Sequence, residues 1–268
     1  MIDSQLQQEL RERFNPDGSM LRKQQLRMLE ILLYIDKVCR DNNINYWLSS
    51  GTLLGAVRHG GFIPWDDDLD IEMMREDYDR FQKVFSNNED YVLQTYKSDK
   101  NYLLPFAKVR DLHSELDELG NNVSFKYKGC FVDIFILERS PRFVYVIFGS
   151  LLYLLQRMQC GVTNNYLLKM TYLLKQMFYS LIFIAKPIFN ILPYKTLNHT
   201  YGCGPRWKSR DIKHIFPLTQ LSFEGYMFPA PFNYKSYLKR MFGNYELLPN
   251  LDKVRIHSNN CNFFDMQL

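Results

Sequence analysis

The sequence predicts an α+β fold: a small mixed β-sheet flanked by helices and carrying a helical insert that is both basic and apolar. Three observations carry this. Short strand-like runs alternate with longer runs of helical period. Five carboxylates crowd into the seven residues from Asp66 to Glu72, just after a glycine-rich turn. Between Arg139 and Arg210 there are ten Lys and Arg but no Asp or Glu, amid Leu, Ile, Phe, Tyr and Met. Because the 268-residue chain is +4 overall, the remainder carries −6. The expected division is a catalytic core over 1–138, a helical insert over 139–210, and a C-terminal part of the same catalytic domain over 211–268.

A polar leader, MIDSQLQQELRERF, opens the chain and is expected to fray. It lacks the apolar centre of a signal peptide. Asp17-Gly18-Ser19 offers a turn and an N-cap, and Leu21, Met28, Leu32, Ile35 and Cys39 then recur at helical spacing. Asn42 and Asn43 end that helix. Tyr46–Leu48 reads as a strand, and Leu53–His59 as a short helix stopped by Gly60-Gly61. Asp68–Met73 is the acidic strand and Glu76–Ser86 the next helix. Tyr91–Tyr96 and Leu103–Val109 are strands, the second continuing the alternating phase of Lys108 and Arg110. Val123–Tyr127 and Cys130–Leu137 are expected to pair through Lys128-Gly129. Helices fill Phe143–Gln159 and Tyr166–Asn190. A hairpin with Glu224-Gly225 at its turn spans Leu221–Phe228, and a helix covers Asn233–Phe242.

The chemistry centres on Ser49–Glu72. Like charges this close need a positive partner, and alternation with Leu69 and Ile71 would put Asp68, Asp70 and Glu72 on one strand face. Carboxylates beside a glycine turn suit a hard cation such as Mg²⁺ or Mn²⁺ bound with a phosphorylated substrate. The turn Gly51-Thr52 offers backbone N–H groups for phosphate oxygens. Asp133 lies among Phe131, Val132, Ile134 and Phe135; a lone acid in so apolar a strand is costly unless paired or metal-bound. It is the expected third member of the acidic site. Asp66 and Asp67 are placed in a supporting role. His113, His199, His214 and His257 show no partner pattern and are expected to be structural.

Composition narrows the function classes. The five cysteines are scattered without a CxxC, which points to a reduced, cytoplasmic protein without a structural zinc site. The longest uncharged run of the insert, Phe143–Gln156, is shorter than the roughly 20 residues needed to span a bilayer. The insert therefore suits either peripheral contact with an anionic membrane or packing on the main core, with its lysines solvated.

The runs SSGTLLGAVRHGGFIPWDDDLDI, FAKVRD and FVDIFIL, with FEGYMFPAP and YLKRMFGNYELLP near the end, resemble the LicD family of phosphotransferases. That family is of the phosphocholine transferase type, lies within the nucleotidyltransferase superfamily and is related to fukutin-type enzymes. The resemblance covers about 20–137 and 214–250 and implies a nucleotidyltransferase-like sheet. It implies transfer of a phospho-alcohol, typically phosphocholine from CDP-choline, to a sugar hydroxyl of a cell-surface glycan or lipid-linked saccharide such as lipopolysaccharide, leaving CMP. Asp68, Asp70 and Asp133 would be the catalytic, metal-holding acids. Gly51 and Thr52 would contact donor phosphate. Arg58, His59, Lys108 and Arg110 would neutralise it. Trp65 would stack on a base or enclose a quaternary ammonium. The insert is expected on the acceptor side. Open alternatives are another donor (phosphoethanolamine, ribitol phosphate or a sugar phosphate), a nucleotidyltransferase acting on nucleic acid, and a non-catalytic scaffold. Apolar helices argue against nucleic acid as the partner.

Overall fold

A computed structural model describes residues 2–118, 125–161, 165–191, 195–203, 208–254 and 258–264. The polar leader is a helix, α1 (Ser4–Phe14), because the Asp3 side chain caps it by accepting from the Gln5 N–H and Leu10 is buried beneath it. Helix α2 (Met20–Asp41) starts at its expected cap, where the Ser19 hydroxyl accepts from the Arg22 N–H, and stops at Asn42 and a left-handed Asn43. Its buried stripe includes Met28, Ile31, Leu32, Ile35 and Cys39.

Strand β1 (Trp47–Leu48) leads into α3 (Ser50–His59), which left-handed Gly60 terminates. The helix begins three residues earlier than expected, so Gly51 and Thr52 lie inside its first turn. Strand β2 (Asp70–Met74) starts two residues later than expected, and residues 66–69 run as irregular chain before it. Then come α4 (Arg75–Val84), β3 (Tyr91–Gln94) and β4 (Ala107–Asp111). Residues 103–106 do not join β4, in keeping with Pro105, which has no N–H to donate to a ladder.

Of the expected strand Val123–Tyr127, residues 123 and 124 lie outside the described residues and 125–127 are not strand. A different strand, β5 (Ser114–Glu118), occupies this region and will pair near the C-terminus. The nine-residue β6 (Phe131–Arg139), buried over all but its last residue, is the hub of the sheet. It runs parallel to β2 on one side. On the other side β4 pairs antiparallel with its first half.

Helices α5 (Arg142–Gly161) and α6 (Asn165–Ile191) form a hairpin after β6, as the insert predicts. The end of the insert is not helical. Strand β7 (Thr196–His199) returns to pair with the second half of β6, and β8 (Arg210–Asp211) pairs with β7. After the one-turn helix α7 (Ile212–Ile215), β9 (Thr219–Phe223) and β10 (Tyr226–Ala230) form the expected hairpin. Its two turn residues, Glu224 and Gly225, both have positive φ, as a two-residue turn of primed type demands. Helix α8 (Tyr234–Phe242) is capped by Asn233, and β11 (Ser258–Phe263) pairs with β5.

The seven-stranded mixed sheet is therefore ordered β1-β2-β6-β4-β3, with β7 and β8 attached beside β6. One core joins the sheet to α2, α3, α4, α8 and the β9–β10 hairpin. The β5–β11 pairing also brings buried Cys130 and Cys261, far apart in sequence, to an Sγ–Sγ distance of 3.3 Å. Among the described residues no helix is long and apolar enough to cross a membrane.

Candidate active site

Parallel pairing of β2 and β6 sets Asp70 directly across from Asp133. Neighbouring strands lie about 4.8 Å apart, so the two carboxylates leave the sheet side by side. Both are buried, each 8% exposed. The register is pinned at this point by the Asp133 N–H, which donates to the Leu69 carbonyl at 2.8 Å. From the other side of β6, Lys108 on β4 stands opposite Asp133, and its Nζ lies 2.7 Å from Asp133 Oδ1. The same ammonium sits 3.1 Å from the centre of the Phe131 ring, so a π-face also stabilises its charge.

Asp70 is clamped through its backbone. Its N–H donates to Thr52 Oγ1 at 2.8 Å, and its carbonyl accepts from the Ser49 N–H at 3.1 Å. Both contacts come from the start of α3, where Ser49 and Ser50 precede a helix whose first N–H groups lack intrahelical acceptors. Ser50 holds a left-handed φ of 47°, a backbone strain placed at the entrance of the helix. Thr52 thus positions an acid, and its hydroxyl oxygen is not simply offered to donor phosphate. Gly51 has a different reason: a Cβ there would lie 2.7 Å from Asp66 Oδ2. Any side chain there would make the Asp66 carboxylate shift.

Asp66 and Asp70 sit in an acid-rich setting. Burial, then the charges of Asp68, Asp133 and Asp66, push the Asp70 carboxyl well above its ordinary pKa, while Lys108 pulls it back. Asp66 is raised in the same way, by burial and then by Asp68 and Asp67, with Arg58 opposing. Such a set of oxygen donors suits a hard divalent cation, which would remove the repulsion. Among the described residues, no three His, Cys, Asp or Glu side chains are already arranged as a closed metal-ligand set. The positive charge nearest Asp133 is the Lys108 ammonium.

Two residues absent from the sequence-based site support the loop from α2. Buried Gln24 donates its Nε2 to the Asp67 carbonyl, and buried Gln25 donates to the Asp66 carbonyl, each at 2.8 Å. The signal was there: polar residues at 24 and 25 precede Met28 and Leu29 by one helical turn on the apolar stripe.

Other expected residues are placed elsewhere. Glu72, the third acid of the supposed strand face, is fully buried and saturated. Arg210 Nη2 donates to it at 2.6 Å, Trp47 Nε1 at 2.8 Å and the Tyr237 hydroxyl at 3.0 Å. Arg110 is fully buried and donates to Gln94 Oε1 at 2.6 Å and the Gly129 carbonyl at 2.8 Å, so it braces β3 and β4. Arg58 and His59 lie at the opposite end of α3 from Thr52, about 10 Å along its axis. Arg58 Nη1 donates to the carbonyls of Tyr245 and Leu247. His59 pairs with Gln7 at 2.6 Å, and burial, then the Arg58 charge, hold its pKa down at about 3. Trp65 is buried edge-on between Phe14 and His59. His59 lines a cavity of about 260 Å³ bordered by Gln7, Asn15, Gly61 and Glu224, and the Arg58 charge acts on Asp66. What β2, β4, β6 and the start of α3 bring together is Gly51, Thr52, Asp68, Asp70, Lys108 and Asp133.

Residues 43–146, which span all of these, match the family model described as LicD/FKTN/FKRP, nucleotidyltransferase domain. The chain is 40% identical over 124 residues to the lipopolysaccharide cholinephosphotransferase LicD of Haemophilus influenzae, covering 45% of each protein. It is 38% identical over 99 residues to an uncharacterized protein of Rickettsia typhi, covering 36% of this chain and 32% of that one. Over 48 residues it is 46% identical to the ribitol 5-phosphate transferase FKRP of Homo sapiens, 18% of this chain and 10% of the relative. The matches thus span less than half the length of these curated relatives.

Proposed function

With a LicD-family domain across residues 43–146, we propose that this protein is a metal-dependent phosphotransferase acting on a glycan. In this reading it transfers a phospho-alcohol, foremost phosphocholine from CDP-choline, to a sugar hydroxyl. The observation that carries the reading is the parallel register of Asp70 and Asp133 with Lys108 beside them. The cholinephosphotransferase activity by which the Haemophilus relative is named supports the choice of alcohol.

The acceptor hydroxyl oxygen bonds to the phosphorus that bears the alcohol. The bond from that phosphorus to the bridging oxygen of the diphosphate breaks, and the nucleoside monophosphate leaves. The hydroxyl proton passes to a carboxylate, and Asp133 is our candidate for that role. Little covalent work falls to the protein, so positioning and charge neutralisation carry the rate. Asp70 and Asp133, with Asp68, would hold Mg²⁺ or Mn²⁺, which supplies positive charge for the diphosphate. Lys108 keeps Asp133 oriented at 2.7 Å and adds a fixed positive charge. Thr52 and the Ser49 N–H hold Asp70 by its backbone.

Ribitol 5-phosphate is the second choice of transferred group, favoured by the 46% identity to FKRP across 48 residues. The test is a panel of CDP-choline, CDP-ethanolamine, CDP-ribitol and UDP-sugars incubated with protein, Mg²⁺ and glycan acceptors. CMP release from CDP-choline, lost on chelation and in Asp70→Asn, is the expected result. Release that survives both treatments would refute the assignment.

A further inference from the structure

Helices α5 and α6 bury a seam between them and leave many apolar side chains of their described residues exposed. The seam is Val144, Tyr145, Leu152 and Ile182, with Tyr201 beneath. Of the 28 large hydrophobic side chains exposed among the described residues, 17 belong to these two helices. Phe143 is 68% exposed, Leu154 57%, Leu173 66%, Phe183 76% and Ile184 72%. The apolar area involved is on the order of 1,500 Å², several times the patch an ordinary monomer leaves in water.

We propose that the α5–α6 hairpin is a docking surface for an anionic lipid bilayer. Charge selects this occupant. The segment from Arg139 to Arg210 has ten basic residues and no acid, and Arg157 and Lys169 are exposed among the apolar side chains. A second copy of the hairpin would bring the same positive charges face to face, whereas anionic headgroups complement them. Neither helix can span the bilayer, so the hairpin lies in the interface plane with its apolar side chains among the acyl chains. The hydroxyls of the hairpin are already prepared for that environment. Ser150 and Ser180 each donate back to the carbonyl four residues earlier, at 2.5 and 2.9 Å. The hairpin leaves the sheet beyond Arg139, six residues from Asp133 and about 20 Å along β6. The inference stands apart from the phosphotransferase reading, since it uses none of the acidic residues.

Flotation of the full chain with vesicles tests it. Protein should rise with phosphatidylcholine vesicles containing phosphatidylglycerol at low salt. It should rise about tenfold less with phosphatidylcholine alone or at high salt. The triple variant Leu154→Glu, Leu173→Glu, Phe183→Glu should lose flotation by a similar factor while its circular dichroism and Tm stay as in the parent. The pair Arg157→Glu, Lys169→Glu replaces only exposed side chains and gives the same readout should the triple variant misfold. Absence of flotation with anionic vesicles, or flotation equal in parent and variants, would overturn the proposal. So would a discrete dimer in solution that the triple variant converts to monomer, because the surface would then join copies of this chain.

Discussion

Two acids two residues apart on β2, Asp70 and Glu72, are both buried but live in opposite electrostatic settings. Around Glu72 three side chains donate: Arg210, Trp47 and Tyr237 all converge on its oxygens. Burial alone would drag the Arg210 guanidinium down, yet the charges of Glu72 and Tyr237 and the hydrogen bonds to both together outweigh it and hold the pKa above its ordinary value. Around Asp70 the neighbours are acids, and Lys108 is the cation that opposes them. The first setting ties β8 and α8 to the sheet. The second stores repulsion that a bound cation or a phosphate-bearing ligand with its cation would relieve. A buried charge that is fully paired reads as architecture, and one left in deficit reads as a site.

The sharpest break of this comparison is to neutralise each acid in turn. Asp70→Asn should lower turnover by about 10²–10³-fold, the range for losing one preorganised charge, while Tm holds or rises. Glu72→Gln or Arg210→Met should do the reverse. Stripping one partner of a buried pair costs about 3–5 kcal/mol, a fall in Tm of about 10 °C by thermal melting. Equal loss of stability in both variants would erase the distinction.

Mg²⁺ titration sharpens it further. At about a hundredfold excess over Kd, one site binding only the folded protein adds about 2.7 kcal/mol. The resulting rise in Tm should vanish in Asp70→Asn and Asp133→Asn and persist in Glu72→Gln. A shift retained in Asp70→Asn would place the ion elsewhere. A subtler change is Gly51→Ala, whose new methyl must displace Asp66 and the loop that carries Asp68. We expect about tenfold slower turnover with a stability loss below about 1 kcal/mol, read from paired kinetics and melting.

The smallest effects are the two arms of the pH profile, which have opposite signs. Asp70 and Asp66 have raised pKa values in the folded state, so with chelator present their stabilising contribution is complete when protonated. It is lost as pH climbs from the ordinary carboxylate range through the raised values. Asp70→Asn should flatten this alkaline arm. His199, fully buried 3.9 Å from Glu72, has its pKa lowered by burial and then by Arg210 and Arg142. Its contribution is complete above the ordinary histidine pKa and lost as pH falls below it. His199→Gln should flatten the acid arm, with Tm measured from pH 4 to 9.

Much of this was legible beforehand. Local rules located α2 with its Ser19 cap, the Gly60 stop, the Glu224-Gly225 hairpin and both helices of the insert, because caps, turns and periodicity act within a few residues. Asp133 could be singled out since an acid in an apolar strand demands a reason. The start of α1 was misjudged: the Asp3 cap and the burial of Leu10 win over a polar composition. Arg58, His59 and Arg110 were read as phosphate-neutralising from charge and resemblance, and their hydrogen bonds include those to the carbonyls of Tyr245, Leu247 and Gly129 and the side chains of Gln7 and Gln94. Such partners lie up to 189 residues away, and no spacing rule reaches them.

By itself the sequence singled out Asp68, Asp70 and Asp133 as candidate site acids, put a glycine before them, and made the insert apolar and wholly basic. Those are properties of composition and short-range periodicity. The tertiary structure decided which acid is architecture and which is left in deficit. It set Asp70 beside Asp133 by parallel register, closed Asp66 onto Gly51, gave Glu72 to Arg210, and left many apolar side chains among the described residues of α5 and α6 exposed. Burial and pairing depend on which strands become neighbours, and that choice is made by the whole chain at once.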